Sequence, residues 1–304
     1  MAREQTGICS EPNLHGLVLL FNALDGHAAL LRRQFSLFSH ASSKLAEQFS
    51  EANLNTTLAI GAAFWDTIYP DCRPPELESM KPLIAGDIEM PTSPADFVFY
   101  IRADRYDVLH LASQQLSALV VAHADLIEQT HVFRFMDGRA LTGFPLDPPY
   151  IPGRKKRELA LIDDPESEFV QGSYMHVQRY RLDFARWQSL TQEQQEHIVG
   201  RNKLTGQLQL EHEASQNTHA LRTSLRVGEH ALLPIVFQDM PFGQLRAQGV
   251  VQVAYSKSAT AFNQWLQQRV GDGEHHYDLM LDYLQADSGA AFFAPSINFL
   301  EDRS

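Results

Sequence analysis

Thirteen histidines, two cysteines and 37 acidic residues are the groups in this 304-residue chain that could do chemistry. None falls in a common catalytic motif. There is no P-loop, no G-x-G-x-x-G after a strand, no H-E-x-x-H and no G-x-S-x-G. His275-His276-x-Asp278, after Gly271-Asp272-Gly273, has the residue types of a metal cluster. Adjacent histidines point apart on a helix, however, which favours a solvated helix start over a ligand set. The basic run Arg154-Lys155-Lys156-Arg157 reads as a solvated loop rather than a phosphate or localisation patch. Trp65, Trp187 and Trp265 occupy apolar positions and read as core. His219, in Asn217-Thr218-His219-Ala220-Leu221-Arg222, is not marked as a ligand by its spacing alone.

Composition narrows the setting of these groups. A length of 304 residues suggests two domains, and a formal charge of -12 repels phosphate backbones, which argues against nucleic acid as a partner. The longest apolar runs, residues 16–24 and 116–124, are too short to span a membrane. The N-terminal MAREQTGICSEP lacks the apolar core of a signal peptide, and Cys9 and Cys72 fit free thiols in a reducing cytoplasm.

Hydrophobic periodicity supplies the elements that must position the site. Residues 16–24 (GLVLLFNAL) read as a buried strand. Gly26 then opens an amphipathic helix to residue 49, with Leu31, Phe35, Phe38, Leu45 and Phe49 as its apolar stripe. Residues 57–64 form a second strand, the Pro-rich stretch 70–94 carries short local structure, and 97–101 form a third strand. Asp104 reads as the N-cap of a helix to residue 123, and 126–136 as a fourth strand. The order β-α-β-β-α-β is one ferredoxin-like unit. It recurs with a strand at 174–182, a helix opened by the capping box Thr191-x-x-Gln194, strands at 232–237 and 250–255, and a helix from Ser258 to residue 270. Residues 147–168, with Pro148, Pro149, Pro152 and the basic run, read as a connection. The expectation is an α+β chain of two ferredoxin-like domains, 1–146 and 147–304.

The order of several short motifs carries more than any one of them. Phe133-Arg-Phe-Met-Asp-Gly-Arg-Ala-Leu-Thr-Gly-Phe144 is followed by Gly172-Ser-Tyr-Met-His-Val-Gln-Arg-Tyr180 and Ile198-Val-Gly-Arg-Asn-Lys203. Thr218-His219 through Arg222, Met240-Pro-Phe-Gly243 and Ala290-Ala-Phe-Phe-Ala-Pro-Ser296 complete the series. This order and spacing resemble the bacterial cytoplasmic (B-type) branch of the dye-decolorizing peroxidases over nearly the whole chain. The resemblance implies two ferredoxin-like domains of the dimeric α+β barrel superfamily, with haem b in the C-terminal one. It also implies a homodimer or larger assembly, and hydrogen-peroxide-dependent one-electron oxidation of bulky organic donors. His219 matches the family's proximal haem ligand, and Asp278 the carboxylate that makes such an imidazole more basic. Arg201 and Arg222 match basic positions near the haem edge, candidates for propionate contacts. The chain ends soon after Ala-Pro-Ser, so the tail that directs some relatives into protein shells is expected to be missing.

The distal side departs from the family. Its signature continues Gly-Phe-Val-Asp-Gly, whereas here Gly143-Phe144 is followed by Pro145-Leu146-Asp147. Without a gap, Leu146 takes the catalytic Asp position and Asp147 is displaced by one, toward the other face of an extended segment. Met240-Pro241-Phe242-Gly243 anchors the other distal segment, and Phe237 then takes the Arg position. A positioned general base is worth about 10²–10⁴-fold and a charge stabiliser about 10²–10³-fold, and neither Leu146 nor Phe237 can serve as one. Asp147 or Asp239 could restore part of the proton transfer. The expectation is a weakened haem peroxidase. The alternatives are a haem-binding protein for storage, sensing or delivery, and a scaffold that binds no haem.

Overall fold

The computed structural model describes all residues except 1, 147, 210–215 and 228–230. Its centre is a nine-stranded, wholly antiparallel sheet. We number its strands β1 (His15–Ala23), β2 (Asn55–Gly61), β3 (Phe97–Ala103), β4 (Ala124–Phe133), β5 (Ser173–Leu182), β6 (Ile235–Phe237), β7 (Met240–Gln244), β8 (Ala247–Ser256) and β9 (Leu284–Ala294). The order across the sheet is β6-β8-β5-β9-β2-β3-β1-β4, with β7 also paired to β8. Strands 1–4 are the first ferredoxin-like unit and strands 5–9 the second. They meet where Phe292 and Phe293 of β9 pair with Gly61 and Ile60 of β2. Gly61 suits that seam, since a Cβ there would lie 2.2 Å from the Ala95 carbonyl oxygen.

Both faces of this sheet are covered, which explains why antiparallel strands read as unbroken apolar runs rather than alternating ones. In β1, Leu17, Leu19 and Phe21 join a core under the helices Ala28–Gln48 and Tyr106–Ala118. Val18 and Leu20 face the other way, into a core shared with Met240, Val251 and Val253 of the second half. The sheet therefore curls on itself as an α+β barrel. Helix Ala259–Val270 covers the outer face of the second half, packing Phe262, Trp265 and Leu266 against Ile235, Phe237 and Tyr180.

The main elements fall where periodicity places them, with five differences. The apolar continuation of β2 is a helix, Ala62–Ile68, because Gly61 ends the ladder and Ala62, Phe64, Trp65 and Ile68 bury at helical spacing. Asp104 does not cap the following helix. Its Oδ1 accepts hydrogen bonds from Asn13 Nδ2 (3.1 Å) and the Leu14 amide (3.0 Å), tying two loops, while the N-cap is Arg105. The basic run is not a solvated loop. It opens the helix Lys155–Ala160, and Lys156, 1 % exposed, donates to the Cys9 and Ser10 carbonyls and to Glu11. Residues 272–276 are a turn rather than a helix start, with Asp272 Oδ1 accepting from the amides of Glu274, His275 and His276. Strands β7 and β9 were not among the expected elements. The three tryptophans are buried and the Thr191–Gln194 capping box forms both of its bonds.

Candidate active site

His219 opens the one-turn helix His219–Arg222, and Leu279 N donates to the Asn217 carbonyl (3.0 Å), which fastens this segment to the turn Leu279–Asp282. Asp278 caps that turn, with Oδ1 accepting from the Met280 amide at 2.9 Å. Its other oxygen, Oδ2, lies 2.8 Å from His219 Nδ1 and accepts from Arg269 Nε at 2.7 Å. Asp278 is fully buried. Burial alone would raise its carboxyl, but His219 and Arg269 outweigh that and hold it well below the usual carboxylate range. An ionised carboxylate can only accept. His219 Nδ1 is therefore the donor, and in a neutral ring the lone pair falls on Nε2.

Arg269 comes from the last turn of Ala259–Val270 and is 1 % exposed. Its guanidinium carbon lies 4.6 Å from the centroid of the Tyr180 ring. Burial works against its charge, yet Tyr180 and Asp278 hold its proton more tightly than usual. Sequence reasoning missed this residue. The signal was present: on that helix Phe262, Trp265, Leu266 and Arg269 share one face, so a charge stands where the pattern calls for an apolar side chain.

His219 lines a cavity walled by Leu141, Phe144, Leu146, Leu182, Val199 and Val250, with Asp239 and Gln252 as further polar groups. Asp239 stands in the two-residue link between β6 and β7. Its Oδ2 accepts from Gln252 Nε2 at 2.8 Å, while Oδ1 is buried with no partner. Burial pushes its carboxyl up to about 7, and the Gln252 bond and Arg269 only partly offset that.

The structure thus brings His219 and Asp278 together and sets Leu146 and Asp239 on the same cavity. Phe237 does not line it. Its ring packs on Trp265, centroids 4.7 Å apart, and the residue borders a neighbouring chamber. Asp147 lies outside the described residues. Arg201 and Arg222 are not among the lining residues either. Arg201 Nη1 donates to the Gly206 carbonyl (2.9 Å), and Arg222 is turned to Asn217 Oδ1 (2.6 Å) and the Gln268 carbonyl (3.3 Å). Among the described residues no three His, Cys, Asp or Glu side chains are grouped to hold a metal ion, the His275–His276 segment included. No helix among them is long and apolar enough to cross a membrane.

Comparison with known proteins gives this arrangement a family. Residues 5–134 match the family described as Dyp-type peroxidase, N-terminal, and residues 137–299 match Dyp-type peroxidase, C-terminal. The chain is 32% identical over 254 residues to the dye-decolorizing peroxidase of Mycobacterium tuberculosis, covering 82% of this chain and 75% of that one. A dyp-type peroxidase protein from Shewanella oneidensis superposes with a TM-score of 0.95 at 35% identity, over 100% of this chain and 99% of the other. A variant of DypB from Rhodococcus jostii, solved in complex with heme, superposes with a TM-score of 0.92 at 27% identity over 100% of both chains. The chain belongs to the dye-decolorizing peroxidase family.

Proposed function

We propose that the chain binds haem b on His219 and uses it to oxidise organic donors one electron at a time with hydrogen peroxide, at a rate limited by an altered distal wall. The donor set suits that cofactor. An axial imidazole needs one nitrogen free for iron and gains basicity when a carboxylate holds the other, and His219 with Asp278 meets both conditions. The largely apolar cavity wall agrees in polarity with a macrocycle, and the heme-bound DypB neighbour supports the same reading. Bound there, haem supplies an iron centre that takes oxidising equivalents from peroxide and releases them singly. His219 holds the group, Asp278 and Arg269 fix the ring, and the apolar wall excludes water. Domains 1–146 and 147–304 would then share the work, since residues 140–146 supply part of the cavity wall and the second domain the rest. The proposed site leaves out Arg201 and Arg222.

On the distal side the proton work falls to Asp239. Peroxide reduction needs a proton moved from one oxygen to the other, and a group that titrates near neutral pH can both accept and return it. Asp239 is such a group: the residue borders the cavity, and its Oδ1 is buried without a partner. At the position where the resemblance places the arginine, Phe237 packs on Trp265 and offers no charge stabiliser. That observation favours a second reading, a haem-binding protein with little turnover, serving storage, sensing or delivery. We also propose a cytoplasmic homodimer or larger assembly, which light scattering would check for its size.

The bond between His219 Nδ1 and the buried Asp278 carries the proposal. It is tested by an absorption spectrum of protein supplied with haem, followed by rapid mixing with peroxide. The expected result is a Soret band that His219→Ala abolishes and that shifts quickly with peroxide. Slow bleaching alone would favour the second reading, and no Soret band would overturn both.

A further inference from the structure

Asp278 serves three donors with two oxygens. Oδ1 takes the Met280 amide at 2.9 Å, while Oδ2 takes both His219 Nδ1, at 2.8 Å, and Arg269 Nε, at 2.7 Å. The imidazole and the guanidinium therefore compete for one oxygen instead of dividing the carboxylate between them. Both distances lie in the short range of charge-assisted bonds.

The chain around Arg269 holds it in that competition. The Asp278 amide donates to the Arg269 carbonyl at 2.9 Å, so main chain and side chain both fasten the pair. The return from the helix Ala259–Val270 to Asp278 turns at Gly271, φ +59°, where a Cβ would lie 1.5 Å from the His276 carbonyl oxygen. The guanidinium is 1 % exposed and lies over two rings, 4.6 Å from the Tyr180 centroid and 5.7 Å from that of Trp265. Among the described residues its ion-pair partner is Asp278.

This sharing has an electronic consequence for the imidazole. A carboxylate on one nitrogen of an axial imidazole raises the basicity of the other. The size of the effect depends on how much of the carboxylate's negative charge faces that N–H. A dry guanidinium on the same oxygen draws part of the charge to itself. Without it, Oδ2 would belong to His219 alone. Axial-ligand basicity is in turn one of the levers that set an iron centre's preference between its two oxidation states.

We infer that Arg269 is a positioning residue that acts through Asp278 to limit electron donation by His219. It thereby holds the ferric–ferrous potential of the haem-loaded chain above the value a His219–Asp278 pair alone would set. The inference rests on the haem reading given above.

The test compares the haem-loaded full chain with its Arg269→Met and Arg269→Lys variants, by redox titration and by resonance Raman measurement of the ferrous iron–His219 stretch. Arg269→Met is expected to favour the ferric state at least ~10-fold more, a fall of about 59 mV, and to move the stretch to higher frequency. Arg269→Lys should keep most of both wild-type values, since one N–H bond is at stake and not a guanidinium fork. Arg269 also borders the cavity, so a lower potential alone would fit a direct effect of its charge; the stretch separates the two. An unmoved stretch in Arg269→Met, or equal shifts in the Met and Lys variants, overturns the inference. Should Arg269→Met not fold, Arg269→Gln, neutral but still a donor, takes its place with the same directions expected. No Soret band in the wild type overturns the haem reading and this inference with it. A His219-dependent Soret band with an unmoved stretch overturns this inference alone.

Discussion

The two sides of the His219 cavity are built to different standards. On the proximal side Asp278 is fully buried and both of its oxygens are used: Oδ1 takes the Met280 amide, and Oδ2 takes His219 and Arg269. On the distal side Asp239 keeps one oxygen without a partner, Leu146 offers no polar atom, and Phe237 is turned to Trp265. Under the proposed function, holding the cofactor and driving a reaction on it would be separate demands on this chain. The first would be met by a closed network in which every member fixes another, and the second left to the Asp239 carboxyl.

That contrast can be broken at several points. The largest effect is expected from Asp278→Ala, which strands the Arg269 guanidinium in the interior and should cost about 3–5 kcal/mol of stability in denaturant unfolding. Adding Arg269→Met should recover part of the loss. A cost no larger than that of a surface substitution would mean the network is slack. Asp239→Asn should leave the Soret spectrum unchanged and slow the peroxide reaction about 10²-fold or more in stopped flow. An unaltered rate would move the proton work elsewhere. Because Phe237 is turned to Trp265 and does not line the cavity, Phe237→Ala should leave the peroxide rate unchanged while lowering stability. A changed rate in that variant would show that the side chain acts on the distal side after all.

The smallest effect is on pH dependence. The Asp239 carboxyl titrates higher in the folded chain, at about 7, than its ordinary value of 3.8. The folded state therefore binds the extra proton between these values, and this contribution to stability is present at acid pH and lost as pH rises through 7. Asp278 acts in the opposite sense, since its depressed carboxyl favours the fold above the ordinary carboxylate range and loses that contribution in acid. Unfolding midpoints of wild type and Asp239→Asn should accordingly diverge between pH 4 and 8, with the variant's curve the flatter. Parallel curves would show that Asp239 is better solvated than its surroundings imply.

Much of the fold was legible because two covered sheet faces leave an unmistakable trace, as in Leu17 to Phe21. The ends of elements were less so. Asp104 has the right type and place for an N-cap, and only the distant Asn13 and Leu14 decide that it bonds elsewhere. Lys156 is likewise an ordinary surface residue by type, buried because Glu11 and two carbonyls wait for it 145 to 147 positions away. In the site, motif order picked out His219 and Asp278, which periodicity could not. Arg269 was hidden because a basic residue in a last helical turn already has a reason to be there. The unpartnered oxygen of Asp239 is a property of three-dimensional packing and has no counterpart in sequence.

The pairing of β9 with β2 has a consequence for how the chain comes to exist. The edge of β2 that receives Phe292 and Phe293 is made before its partner, which follows 231 positions later in the chain, from Gly61 to Phe292. Until then the first unit carries an open ladder of unpaired amides and carbonyls flanked by apolar side chains, the form most prone to join another chain. The helix Ile297–Asp302 closes over the same unit, with Ile297 N bonded to the Arg3 carbonyl and Phe299 packed 5.7 Å from Trp65. Removing residues 284–304 should therefore yield an aggregating first unit rather than a free-standing one, and the intact protein should melt in a single step.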